Sequence, residues 1–206
     1  MLKDLTFIGR TCLRACYGSE RLSEDLDFSG GHDFTQCGLS GLAEAITKRI
    51  REKYGFHVAV SEPARESGNV ATWKIRVVTR PSRKDLPQQR INIDICAVPS
   101  HRRRPMMLRN AYGVDMGTGG MILQAESMEE ILADKILALA LRPDMIKNRD
   151  LWDIMWLVRR NIQLDDSLVN QKIEDRGLTR ERFTEMLRES GVVAANTKVR
   201  NQHSHH

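Results

Sequence analysis

The alternation of apolar and polar residues predicts β-strands in the first part of this chain. Within residues 71–79, Trp73, Ile75 and Val77 fall on one side, and polar or basic residues occupy the other. This alternation is typical of a strand with one buried face. Strands are also predicted at three other apolar or alternating segments, which are residues 5–8, 56–61 and 91–98.

Two helices are predicted among these strands. Residues 10–17 have helical spacing, with Thr11 as the expected N-cap and Gly18 as the stop. Residues 40–54 form the second predicted helix, and Ser40 is its expected N-cap. The first part of the chain therefore mixes strands with helices.

Helical periodicity dominates from Ser127 onward. Ser127 and Glu130 have the spacing of a capping box, which predicts the start of a helix. A second helix is predicted from Asn148, and two more are predicted at residues 164–174 and 179–190, the last with Thr179 as its expected N-cap. The helix that begins at Asn148 is expected to bury an apolar face made of Leu151, Ile154, Met155 and Val158.

Composition narrows the class of protein and of partner. The formal net charge of +5 favours an acidic partner such as a nucleic acid or a nucleotide. No apolar run reaches membrane-spanning length and no signal-peptide pattern is present, so we expect a cytoplasmic protein without a membrane partner. The four cysteines form no C-x-x-C pair and are expected to be reduced thiols.

Three aspartates suggest a metal site. Asp25 and Asp27 are two residues apart on a predicted strand, so their carboxylates point to one face. Two adjacent negative charges favour a cation, and Mg²⁺ typically binds one or two carboxylates together with substrate phosphates. Asp94 interrupts an apolar strand and would add a third carboxylate if the strands are neighbours. The alternatives are an exposed acidic edge strand for the pair and an arginine partner for Asp94.

A second group of charged residues lies in the helical part. Lys135 is next to the predicted apolar stripe of its helix, which is made of Leu132, Ile136 and Leu139. Asp150 and Asp153 share one face of the following helix. They are either solvated surface charges, or a lysine that reaches a triphosphate and is oriented by a carboxylate. The basic segments 80–90 and 101–104 are likewise either solvated loops or phosphate-binding surfaces.

Taken together, five segments resemble the AbiEii-type nucleotidyltransferases, the toxin components of abortive-infection toxin–antitoxin systems. The most specific part of the resemblance is the R-x-S-E-D-L-D-F string combined with the later lysine and the R-D-x-x-D pattern. The segments are residues 8–9, 21–28, 93–95, 133–138 and 149–154.

This family belongs to the DNA-polymerase-β-like nucleotidyltransferase superfamily, and the resemblance implies an α+β fold. A nucleotidyltransferase-like mixed β-sheet backed by helices is expected over residues 1–125. A helical C-terminal region is expected over residues 126–192, and a disordered tail over residues 193–206.

The resemblance also implies an activity. The expected reaction is metal-dependent transfer of a nucleoside monophosphate from an NTP to an RNA acceptor such as tRNA, with Mg²⁺ or Mn²⁺ as cofactor and pyrophosphate as leaving group. A cognate antitoxin is the expected protein partner. The alternatives are transfer to a protein or a small molecule, or an inactive remnant that binds nucleic acid or an antitoxin partner.

Roles for individual residues follow from matching positions. Asp25, Asp27 and Asp94 are the implied metal ligands and catalytic carboxylates. Lys135 would contact the NTP phosphates and Asp150 would be a further catalytic acid. The full nucleotide-binding set is Gly9, Arg10, Thr11, Arg21, Ser23, Lys135 and Asp153.

Two features depart from the family pattern. Arg10 stands where the family usually has a second glycine, and an arginine either neutralises phosphates or blocks close backbone approach. Only a few residues precede the first motif, whereas the family usually carries a helical segment there. Both features favour the alternative of a shortened, inactive member.

Overall fold

The computed structural model describes residues 4–64, 69–80, 82, 87–110, 113, 117–142 and 147–190. The chain divides into two compact units, Met1–Glu126 and Ser127–His206. Strands and helices combine as the predicted α+β class requires, and this prediction is confirmed. The predicted tail, residues 193–206, lies outside the described residues. No helix in the described part of the chain combines the length and apolarity needed to cross a membrane.

The first unit is built on one mixed sheet. Its strands are β1 Thr6–Ile8, β2 Leu26–Ser29, β3 His57–Ser61, β4 Val70–Val78, β5 Gln89–Cys96, β6 Arg103–Met107 and β7 Ile122–Glu126. Their order across the sheet is β3-β4-β5-β2-β1-β7-β6. The β2–β5 and β1–β7 pairs are parallel, and the other neighbouring pairs are antiparallel. Strand β2 therefore lies between β1 and β5, at the centre of the sheet.

Alternation along β4 gives the sheet one buried face, as predicted. Trp73, Ile75 and Val77 are buried, whereas Lys74 and Arg76 between them are exposed. The helix α2, Leu42–Tyr54, covers the buried face. The apolar cluster there also includes Ile93 and Ile95 from β5, Leu26 and Phe28 from β2, and Leu42 and Ile46 from α2.

Two predicted N-caps are wrong. Helix α1 spans Gly9–Tyr17, and its N-cap is Ile8. Thr11 lies inside the helix, and its hydroxyl bonds Ser23 and the Asp25 carbonyl instead of capping the helix. Helix α2 has Gly41 as its N-cap. Ser40 instead ends the short 3₁₀ turn that precedes α2, and its N–H bonds the carbonyl of the third residue before it.

Strand β6 was not predicted. Its first residues, Arg103 and Arg104, belong to the basic segment 101–104, for which a solvated loop and a phosphate-binding surface are the two predicted alternatives. The strand also contains Pro105, which is tolerated because β6 pairs only with β7 and forms an edge of the sheet. Both arginines are exposed there, so part of the basic segment is a strand on the rim of the first unit.

The second unit is helical in its described part. Its helices are α3 Met128–Ala140, α4 Asn148–Val158, α5 Asp166–Glu174 and α6 Arg180–Glu189. The predicted caps at Ser127 and Thr179 are confirmed, since each side chain accepts a hydrogen bond from a backbone N–H three residues later. Helix α3 contacts the other three and is central to the unit.

The predicted buried face of α4 is wrong. Leu151, Met155 and Val158 are exposed and Ile154 is half-buried, whereas Asp150 and Asp153 are buried. The helical period was right, but the face was inverted, because the buried carboxylates pair with a lysine of α3. An ion pair therefore takes the interior position that the pattern assigned to apolar side chains.

Candidate active site

Asp27 and Asp94 are neighbours in the sheet. The parallel register of β2 and β5 pairs Asp27 directly with Asp94. The flanking residues Leu26 and Phe28 pack into the apolar cluster, so Asp27 faces the opposite side of the sheet. Both aspartates are half-buried. The structure thus brings together two of the three predicted carboxylates on one face.

Asp25 immediately precedes β2 and is held through its backbone. The Thr11 hydroxyl bonds the carbonyl oxygen of Asp25, and the same hydroxyl lies 2.7 Å from the Ser23 Oγ. Two of the predicted nucleotide-binding residues, Thr11 and Ser23, therefore join helix α1 to the segment that carries the acidic pair. This contact already uses the Thr11 hydroxyl, which positions Asp25.

The glycine at the start of α1 lies against Asp27. Gly9 has a φ of +72°, and a Cβ atom on it would lie 2.9 Å from Oδ2 of Asp27. Any larger residue would be strained in this backbone conformation and would push against the carboxylate. Gly9 thus lets the Asp27 carboxylate lie close against a helix N-terminus, where backbone N–H groups favour anions. Arg10 follows it and is half-buried, as is Arg21 further along.

Thr72 is a site residue that the sequence analysis missed. It lies opposite Asp94 in the antiparallel β4–β5 register, and its hydroxyl donates a 2.6 Å hydrogen bond to Oδ1 of Asp94. The only signal in the sequence was a polar residue on the exposed side of an alternating strand. Its pairing with Asp94 depends on the register, which the sequence pattern did not specify.

The donor chemistry of the paired carboxylates suits Mg²⁺. In the described residues, no group of three His, Cys, Asp or Glu side chains is arranged to hold a metal ion. Asp27 and Asp94, however, pair in the register, and Gly9 lets Asp27 lie close to the start of α1. Mg²⁺ commonly takes one or two carboxylates and completes its shell with water and phosphate oxygens. The oxygen donors on this face fit that pattern.

Lys135 is fixed by two carboxylates in the second unit. Its Nζ lies 3.1 Å from Oδ1 of Asp150 and 2.7 Å from Oδ2 of Asp153. Asp153 is fully buried, and the Lys135 side chain is 12% exposed. The Lys135 ammonium donates a hydrogen bond to Asp150 and forms an ion pair with Asp153, so the interpretation of solvated surface charges is wrong.

Asp150 also binds Arg142, which the sequence analysis missed. The Arg142 Nη2 lies 3.2 Å from Oδ2 of Asp150. Burial raises the pKa of Asp150, but the positive charges of Lys135, Arg142 and Arg149 outweigh it and hold the pKa below its usual range. Asp150 is therefore ionised at neutral pH and sits between two cations.

A neighbouring network of ion pairs joins α3 to the α5 region. Asp134, next to Lys135 in sequence, bonds Lys172 and Arg176 of the α5 region, and Lys172 also lies 2.7 Å from Glu130. Lys172 and Glu130 are both buried. Helix α3 thus directs Lys135 to α4 and Asp134 to α5.

The cysteines take no part in these sites. None of the four forms a disulfide, as predicted. Cys12 and Cys16 are buried in α1, and hydrogen bonding with Cys16, together with burial, raises the pKa of the Cys12 thiol far above its usual range. Cys12 is therefore protonated and unreactive at neutral pH.

A protein-family model matches nearly the whole chain. The model of the family described as nucleotidyl transferase AbiEii toxin, type IV toxin–antitoxin system, matches residues 2–204. The family predicted from the motifs is thereby confirmed. No curated protein matches the sequence.

One solved structure with a TM-score above 0.5 shares the fold. MenT4, a nucleotidyltransferase toxin from Mycobacterium tuberculosis H37Rv, matches with a TM-score of 0.57 and 21% identity over 86% of this chain. The match covers 60% of MenT4, so this chain spans less than two thirds of that protein's length. JHP933 from Helicobacter pylori matches with a TM-score of 0.48 and 20% identity, covering 98% of this chain and 88% of that one.

Proposed function

This chain belongs to the AbiEii family of nucleotidyl transferase toxins of type IV toxin–antitoxin systems, and we propose that it transfers a nucleoside monophosphate from an NTP to an RNA acceptor such as tRNA. The observation that carries this proposal is the register of β2 and β5, which pairs Asp27 with Asp94. Adjacent carboxylates beside a glycine at a helix N-terminus supply the oxygen ligands and the phosphate-binding backbone that such a transfer uses.

The proposed reaction is a displacement at phosphorus. A hydroxyl oxygen of the RNA forms a bond to the α-phosphorus of the NTP, the bond from that phosphorus to the β-phosphate oxygen breaks, and pyrophosphate leaves. We assign Asp94 to accept the hydroxyl proton. Its Oδ1 accepts the Thr72 hydrogen bond, so Oδ2 is oriented by that contact.

The acidic pair is assigned to metal binding. Asp25, Asp27 and Asp94 would hold Mg²⁺, with Mn²⁺ as a substitute, and the phosphates of the nucleotide would supply further ligands. When bound, such an ion neutralises the charge that develops on the phosphates. The Thr11 and Ser23 contacts keep the Asp25 segment against α1.

Phosphate binding is assigned to α1 and to the cations near it. The first turn of α1 would offer backbone N–H groups, and Gly9 lets Asp27 lie against that turn. Arg10 and Arg21 would add positive charge. In the second unit, Lys135 would bind an NTP phosphate while Asp150 and Asp153 fix its orientation.

The biological setting is also part of the proposal. A cognate antitoxin is expected from the family, and the cytoplasm is the compartment that holds both NTPs and tRNA. Neither the antitoxin nor the compartment is inferred from the geometry of the site.

A label-transfer assay tests the proposal. The purified protein is incubated with Mg²⁺, total tRNA and each NTP in turn, radiolabelled at the α-phosphate. Asp27→Asn is the matched control because it keeps the side-chain shape and removes the charge. We expect label on RNA with the unmodified protein, and none with Asp27→Asn or after chelation of the metal.

Other outcomes change the proposal in defined ways. Label on protein or on a small molecule would keep the chemistry and replace the acceptor. Equal transfer by Asp27→Asn would remove Asp27 from the site. No label with any NTP from a folded protein would identify an inactive member, and Arg10→Gly would then be the first variant to test.

A further inference from the structure

The sheet face that carries Asp94 also carries a row of cations. On β4, Lys74 and Arg76 follow Thr72 at two-residue steps, and on β5, Arg90 precedes Asp94 by four residues. The register places Arg76 directly opposite Arg90. We call Lys74, Arg76 and Arg90 the β4–β5 cation row.

The burial pattern fixes the direction in which the row points. Trp73, Ile75 and Val77 face the apolar cluster under α2, so the side chains that alternate with them point to the other face. All three members of the row are exposed. The row therefore shares its face with Thr72 and Asp94.

Among the described residues, no carboxylate pairs with a member of the row. By contrast, Lys135, Arg142 and Lys172 of the second unit each pair with a carboxylate. Like charges directly opposite each other on neighbouring strands are destabilising. The Arg76–Arg90 pair thus costs stability in the free protein, and a bound anion would offset the cost.

We propose that the β4–β5 cation row binds the phosphate backbone of the RNA strand whose end receives the nucleotide. This inference rests on the proposed function and names the surface that holds its acceptor. Arg90 and Asp94 are four residues apart on one strand, about 13 Å in an extended chain. An RNA strand lying along the row would thus lead to the carboxylates.

The chemistry of the face favours RNA over an acidic protein. Between Thr72 and Arg76 on β4, and between Arg90 and Asp94 on β5, this face presents only polar and charged side chains. The centre of a protein interface is rich in apolar groups and poor in charge. Phosphate binding requires only cations and hydrogen-bond donors, and it needs no base-specific contacts.

The test compares two triple variants of equal charge. The first replaces the row, as Lys74→Gln, Arg76→Gln and Arg90→Gln. The matched control replaces three exposed cations of α2, as Lys48→Gln, Arg49→Gln and Arg51→Gln. Affinity for a fluorescent single-stranded RNA is measured over a range of salt concentrations, without NTP, and NTP binding is measured separately.

We expect the row variant alone to lose RNA affinity. Each phosphate contact contributes a slope of about 0.7 in the plot of log affinity against log salt, so three contacts lower the slope by about 2. The same contacts correspond to a loss of about 100-fold near 0.1 M salt. NTP binding should be unchanged. The thermal midpoint should be equal or higher, because the Arg76–Arg90 repulsion is gone.

Several results would overturn the inference. Equal losses in both variants would show that net charge alone matters, and no loss in either would show that RNA binds elsewhere. Displacement of the RNA by polyglutamate at matched charge concentration would indicate a surface for acidic protein.

RNA binding by the unmodified protein that is lost in the row variant, without label transfer from any NTP, would retain the row and reject the proposed function.

Discussion

Thr72 and Asp94 face each other across β4 and β5, and the Thr72 hydroxyl donates a 2.6 Å hydrogen bond to Oδ1 of Asp94. A hydrogen bond to a carboxylate stabilises more than one between neutral groups. It also fixes the rotation of the carboxyl group, so that one oxygen is engaged and the other keeps a defined direction. We therefore regard Thr72 as a positioning residue for Asp94.

The first prediction concerns this contact. Thr72→Val keeps the shape and the strand preference but removes the donor, so we expect kcat to fall about 10- to 100-fold, the equivalent of about 1.5–3 kcal/mol. KM for the NTP should change little. Steady-state label transfer measures both constants.

A matched variant separates positioning from packing. Thr72→Ser keeps the hydroxyl and loses only a methyl group, so it should recover most of the activity. If the valine and serine variants lose activity equally, the hydroxyl has no role. Thermal unfolding of both variants checks that the fold is intact.

The second prediction concerns Gly9. Gly9→Ala would place a Cβ 2.9 Å from Oδ2 of Asp27 and would force a side chain into a φ of +72°. We expect transfer activity and Mg²⁺ affinity to fall at least tenfold, and stability to fall by about 1–2 kcal/mol. Label transfer, metal titration and urea unfolding provide these values.

Gly55 offers a control with the same backbone strain. Its φ is +69°, and a Cβ there would meet nothing within 4 Å. Gly55→Ala should therefore cost similar stability and leave activity unchanged. If both alanine variants lose activity in parallel, strain rather than proximity to Asp27 explains the effect.

The sequence predicted the parts of the fold that depend on local pattern. Alternation in β4 placed Trp73, Ile75 and Val77 inside, and the capping signals at Ser127 and Thr179 marked two helix starts. Such signals are local, because side-chain direction and capping depend on neighbouring residues only. The pairing of the strands has no comparable local signal.

What the sequence could not show depends on contacts between distant segments. The Thr72–Asp94 bond requires the register of β4 and β5, which no local pattern specified. The inverted face of α4 has a similar cause. A binary pattern assigns Asp150 and Asp153 to solvent, and cations from outside their helix, Lys135 and Arg142, make the burial favourable.

The third prediction concerns the pH dependence of stability. Lys135 and Arg142 hold the folded-state pKa of Asp150 below its ordinary value of 3.8. A depressed carboxylate pKa contributes stability that is complete above the ordinary value and is lost as the pH falls through the folded value. Asp150→Asn should cost about 1.5–3 kcal/mol at pH 7. The difference from the unmodified protein should shrink below pH 3.8.

Urea unfolding over a pH series measures this difference. Asp166→Asn is the control, because Asp166 is 80% exposed in its pair with Arg180. Its cost should be small and nearly independent of pH. A cost for Asp150→Asn that grows as the solution becomes more acidic would contradict the assigned charge state.

The fourth prediction separates the structural lysine from the proposed functional one. Lys172 is buried and lies 2.7 Å from Glu130 and 2.9 Å from Asp134, so Lys172→Met leaves two carboxylates without this cation. Removing one partner of a buried ion pair typically costs about 3–5 kcal/mol. Arg182→Met is the control, because its pair with Glu185 is exposed, and it should cost less than about 1 kcal/mol.

A double variant tests the reason for this cost. If the loss arises from the buried charge of Glu130, then Glu130→Gln combined with Lys172→Met should be more stable than Lys172→Met alone. Urea unfolding at neutral pH gives the three free energies. The transfer activity of Lys172→Met, per folded molecule, should remain near that of the unmodified protein. Lys135→Met should fold and lose transfer activity. Equal activity losses in the two methionine variants would show that Lys135, too, acts only through stability.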